Sequence, residues 1–175
     1  MAPYLTILLI LGLVALQSAL MPFASLGPAK PLLPLLAVVA WGLLRGPRAA
    51  AWWALGLGFL LDFASPGPFG LYTVPLLGAA AVTALGKSRL ASGNILLPGI
   101  AAAAATGAFY LVQRGMLAIL ISRTTGRADL TWQLAEVADE LLPVLALNLL
   151  WMPVLYFPLR TLARRTAPPS IGWER

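Results

Sequence analysis

The sequence predicts an all-α integral membrane protein with six transmembrane helices and both termini cytoplasmic. Three observations carry that prediction. Of the 175 residues, 60% are hydrophobic and only 10% charged, and the mean hydropathy is +0.87. A soluble domain carries about 25% charged residues, so this chain has too few to cover a globular surface. Its apolar residues fall into six runs broken by charges, proline and glycine, each a candidate span. Lysine and arginine, finally, concentrate in alternate connections, as the positive-inside rule requires.

The first run, residues 4–21, lacks a basic leader segment and has only a vague cleavage site after it, so it reads as an uncleaved span and not a signal peptide. Pro22 ends it, and a loop containing Gly27 and Pro28 leads to Lys30. The second run, 31–44, is short for a span and predicts tilt or local bilayer thinning. "RGPR" at 45–48 is a tight basic turn into the third run, 49–61, which reaches Asp62. A loop with Pro66, Gly67, Pro68 and Gly70 then gives way to the fourth run, 69–86. "KSRLASGN" at 87–94 is a second basic turn. The fifth run covers 95–121, a polar stretch follows, and the sixth covers 137–159. Residues 1–160 are therefore expected to form one six-helix transmembrane domain, with 161–175 as a basic cytoplasmic tail. No internal repeat is visible.

With the N-terminus inside, the cytoplasmic side holds eight basic residues: Arg45, Arg48, Lys87, Arg89, Arg160, Arg164, Arg165 and Arg175. Lys30, Arg123 and Arg127 fall outside. Fusing the second and third runs into one span would bury Arg45 and Arg48, which is costly. The net charge of +6 is accounted for by these flanking positions, without nucleic acid as a partner. Neither cysteine nor histidine is present, which removes thiol chemistry, disulfides, the commonest general base and the commonest metal ligand. Phosphate-binding glycine loops, metal-ligand clusters and serine-centred constellations are missing too. No cofactor and no catalytic residue is expected. An intramembrane transferase would be hard to build from so few groups at mid-depth.

The remaining polar residues each carry two readings. Asp62, at the outer end of the third span, either touches water or fixes the hairpin by accepting hydrogen bonds from backbone N–H groups near Gly67 to Gly70, where the next helix begins. Pro66 and Pro68 stiffen that loop, and Gly67 and Gly70 permit its turns. Arg114 either snorkels to the outer interface or pairs with Glu136, Asp139 or Glu140, which share one helical face. Asn148 falls near the middle of the sixth span, where an amide bonds across to another helix or touches a ligand. Gly56, Gly58, Gly78 and the small-residue run 101–107 permit close helix packing.

The stretch "GLGFLLDFASPGPFGLYTVPLLGAA" resembles the corresponding hairpin of the MreD family, small membrane proteins of the bacterial rod-shape system. Gly58 and Asp62 match the end of that family's third helix, Pro68 and Gly70 its loop, and the run from Leu71 its fourth helix. Length, six spans, basic inner loops and a basic tail agree as well. The resemblance implies a non-enzymatic scaffold of the cell-wall elongation complex in the bacterial inner membrane, multi-pass, with a bundle like the S-components of energy-coupling-factor transporters. It implies MreC, a single-span protein with a periplasmic coiled coil, as close partner. RodA, a class-B penicillin-binding transpeptidase and MreB are further partners by the same argument. The fold similarity supplies the alternative, a small-molecule-binding subunit of a vitamin transporter, with a polar pocket drawn from Asp62, Arg114 and Glu140.

Overall fold

A computed structural model of the chain describes residues 3–20, 23, 29–89, 96–125 and 130–166. Six helices make it up: α1 (Pro3–Leu20), α2 (Leu33–Arg45), α3 (Pro47–Ala64), α4 (Thr73–Arg89), α5 (Leu97–Thr125) and α6 (Leu130–Arg165). Each covers one apolar run. Among the described residues, two segments are long and apolar enough to cross a membrane on length and composition alone, Leu97–Thr124 and Asp139–Arg165. The helices Tyr4–Ala19, Leu33–Arg45 and Thr73–Ala84 are apolar but shorter.

The shortest helix is the centre of the molecule. α2 packs against α1, α3, α4, α5 and α6, and every residue from Leu33 to Gly42 is buried. At 13 residues it is about 20 Å long. Its shortness follows from this enclosure more directly than from tilt or a thinned bilayer. A helix surrounded by protein does not need its ends at the headgroups, provided its terminal backbone groups find partners inside. They do: the Leu32 N–H donates to Asn148 Oδ1 at 2.9 Å and the Leu33 N–H to Gln17 Oε1 at 2.9 Å. The Gln17 amide also donates to the Pro31 carbonyl at 3.0 Å. Side chains of α1 and α6 thus close the α2 N-terminus.

The other end of α2 turns sharply into α3. Gly46 adopts φ 100°, a left-handed conformation that favours glycine, and Pro47 starts α3 where a missing N–H costs nothing. Trp41 and Trp53 stack across this hairpin with centroids 4.9 Å apart. Close approach depends on Gly42, where a Cβ would lie 2.6 Å from Thr83 Oγ1 and 3.0 Å from Ala50 Cβ.

α6 is the longest helix, 36 residues, and continues through Pro143, Pro153 and Pro158. It starts earlier than the apolar run and extends to Arg165, so residues 161–165 of the expected tail are helical. Arg45 holds that end: its guanidinium donates to the Ala163 carbonyl at 2.9 Å and to Thr166 Oγ1 at 2.5 Å. A cation at the last turn of a helix satisfies carbonyls that have no intrahelical donor. α1 is peripheral. Among the described residues it packs only on α2 and α3, and it exposes Tyr4, Ile7, Leu8 and Leu11.

Candidate functional site

The α3–α4 hairpin concentrates the polar chemistry. Asp62 lies in the last turn of α3 and is 3% exposed. Its Oδ2 accepts from the Gly70 N–H at 2.9 Å, the Thr73 N–H at 3.2 Å and the Thr73 hydroxyl at 2.5 Å. Its Oδ1 accepts from the Tyr72 N–H at 2.7 Å. One carboxylate therefore binds three backbone donors and a hydroxyl at the start of α4. Those N–H groups belong to the turn that leads into α4 and to its first residue, where no intrahelical acceptor exists and the helix dipole favours negative charge. Bonds of this kind are worth about 1.5–3 kcal/mol each, because the acceptor is charged.

The surrounding residues shape that contact. Gly70 sits at φ 97°, which aims its N–H back at α3 and favours glycine over any side chain. Gly58, one turn before Asp62 on the same face, lets α4 approach. A Cβ there would lie 2.5 Å from Thr73 Cα and 2.9 Å from Thr73 Oγ1. Gly67 donates to Ser65 Oγ at 3.3 Å and so braces the bend instead of reaching Asp62. Pro66 and Pro68 are exposed and restrict the loop from outside. Phe59 and Phe69 meet edge to face across it at 5.4 Å.

Arg114 and Glu140 form an ion pair between α5 and α6, which selects pairing over simple snorkelling. Asp139 is exposed, and the side chain of Glu136 lies outside the described residues. Asn148 is buried at 1% exposure. Besides accepting from Leu32, its amide donates to Thr106 Oγ1 at 3.0 Å, and Thr106 in turn donates to the Ala102 carbonyl at 2.7 Å. The amide thereby ties α6 to α5 and to α2 at once. Among the described residues no buried side-chain nitrogen or oxygen lacks a partner.

A cleft of about 320 Å³ opens above the recessed N-terminus of α2, with Gln17, Lys30, Leu32, Ser65 and Tyr72 among its lining. The Asp62 carboxylate is taken up by donors at the start of α4, and Arg114 pairs with Glu140, so none of the three is among the residues of that cleft. Sequence reasoning missed Gln17, Thr73, Thr106 and the second role of Arg45. Gln17 alone carried a signal, as an amide inside an apolar run; the partner of Thr73 depends on how the hairpin closes, and those of Thr106 and Arg45 on α6, distant in sequence.

A helical membrane protein emerges, whose buried polar groups hold helix ends and helix pairs together. The chain matches the family model described as rod shape-determining protein MreD over residues 2–166, and it belongs to the MreD family. Membership assigns it a role in determining rod shape. Comparison with curated proteins and with solved structures gives no match.

Proposed function

We propose that the chain is a non-catalytic membrane scaffold of the rod-shape complex. On this reading six spans cross the bacterial cytoplasmic membrane with both termini inside. The bundle docks the single span of MreC and through it helps organise RodA, the class-B transpeptidase and MreB. One observation carries the reading: the buried polar side chains Asp62, Thr83, Thr106 and Asn148 are all engaged within the protein. Such groups stiffen a docking body and leave little for a reaction. The charge distribution supports the orientation. Arg45 bonds the end of α6, so Arg45, Arg48, Arg160, Arg164 and Arg165 gather at one end of the bundle, while Asp62, Asp139 and Glu140 lie toward the other. Co-expression with the MreC-like protein tests the scaffold. Co-purification as a stable complex is the expected result, and a chain that remains alone refutes it. A reporter fused after Arg165 that reads periplasmic refutes the orientation.

The cleft above α2 favours one alternative, a small-molecule-binding subunit resembling S-components. Its volume lies at the small end of the range for ligand sites, and Lys30 and Tyr72 supply polar groups. Native mass spectrometry with a vitamin panel decides it: retained ligand and a thermal shift support this reading, and neither is expected for the scaffold.

A further inference from the structure

A second cleft, larger than the one above α2, is distant from the Asp62 hairpin. A groove of about 450 Å³ runs between the start of α5 and the second half of α6, lined by Leu97, Gly99, Leu149, Met152 and Tyr156, with Arg160 also on its wall. Apart from Arg160 and the Tyr156 hydroxyl, its side chains are apolar. A Cβ at Gly99 would make ordinary contact with Leu149 at 3.6 Å, so a longer side chain there would occupy the groove. Arg160 is exposed and takes no part in the ion pair between Arg114 and Glu140. Arg164 follows one turn later on the same face and is also exposed.

We propose that this groove binds an anionic phospholipid, with its phosphate against Arg160 and one acyl chain along Leu97, Gly99, Leu149 and Met152. The chemistry is complementary at both ends. An apolar trough facing hydrocarbon matches an acyl chain, and a guanidinium at its membrane-surface end matches a phosphodiester. A transmembrane helix of a partner would fit less well, because burying Arg160 against an apolar helix leaves a charge without a counterion. The proposal takes from the scaffold reading only that Arg160 lies at a membrane surface, and it requires no protein partner.

The test is native mass spectrometry of the full chain in neutral detergent, without MreC. Three probes are titrated: phosphatidylglycerol, phosphatidylcholine with the same acyl chains, and glycerol phosphate. Phosphatidylglycerol is expected to stay bound under conditions that strip phosphatidylcholine, with glycerol phosphate weakest. Arg160→Gln should weaken phosphatidylglycerol by about five-fold, from about one favourable basic contact. Gly99→Leu should weaken it too with every charge intact, and Arg123→Gln, an exposed cation at the far end of α5, should leave it unchanged. Equal binding by Arg160→Gln and the wild type overturns the proposal. So does an equal loss in Arg123→Gln, which would mean diffuse charge attraction, or glycerol phosphate binding as tightly as the whole lipid. Thermal unfolding without lipid confirms that each variant is folded; should Arg160→Gln unfold, retained binding by Gly99→Leu overturns the proposal by itself.

Discussion

The two turns that bracket α3 perform the same task with different chemistry. At its start, Gly46 and Pro47 reverse the chain with backbone alone: a positive φ, a proline at the first helical position, and one hydrogen bond from the Gly46 N–H to the Gly42 carbonyl at 2.9 Å. Arg45 adds contacts outward, to α6. At its end, the longer connection from Ser65 to Tyr72 leaves donors of its own and of the α4 N-terminus to be satisfied, and Asp62 accepts three of them. A short turn between helices fixes itself. A longer one in an apolar setting needs a side chain, and a buried carboxylate is stable there because several donors converge on it.

Removing that carboxylate should give the largest effect. Asp62→Ala strands N–H groups that water reaches poorly, at about 1–3 kcal/mol for each one left without an acceptor. We expect a loss of several kcal/mol in thermal unfolding of the detergent-solubilised protein, and reduced membrane accumulation. Asp62→Asn retains one acceptor oxygen and should fall between Asp62→Ala and the wild type. If Asp62→Ala matches the wild type, the contrast between the turns collapses.

Glycine substitutions come next and sharpen the same contrast. A Cβ at Gly58 meets backbone, Thr73 Cα, whereas one at Gly42 meets chiefly the Thr83 hydroxyl. Gly58→Ala must push α4 from α3 and should cost about 1–3 kcal/mol, with no rescue by trimming Thr73 to alanine. Gly42→Ala should be partly rescued by Thr83→Ala. Equal rescue of both would show that the α3–α4 contact is as adaptable as the α2–α4 contact. Arg45→Gln should do least, about 1 kcal/mol in thermal unfolding, because its bonds tie the α6 terminus to a turn that closes without them. A loss as large as that of Asp62→Ala would reverse the ranking.

Much of the hairpin was legible in the chain itself. A carboxylate at the end of an apolar run must find donors, and glycine and proline just beyond it mark a loop whose following helix supplies them. Gly67 shows the limit: proximity in sequence suggested it as a donor to Asp62, but its N–H turns to Ser65. The pairing of Arg114 with Glu140 was one of several register choices that periodicity left open. Gln17 and Asn148 illustrate a deeper limit. Each is a lone amide in an apolar run, which signals a buried bond, yet the shared object of both bonds is the first turn of α2.

Composition and charge spacing by themselves determined that the chain is helical, that it has six helical runs, and which ends carry the basic residues, because hydropathy and charge act locally along the chain. Only the tertiary structure decided that the shortest run becomes the enclosed centre, with its N-terminus closed by α1 and α6. That outcome depends on which helices surround α2, and surroundings are set by packing among distant segments, on which local pattern is silent.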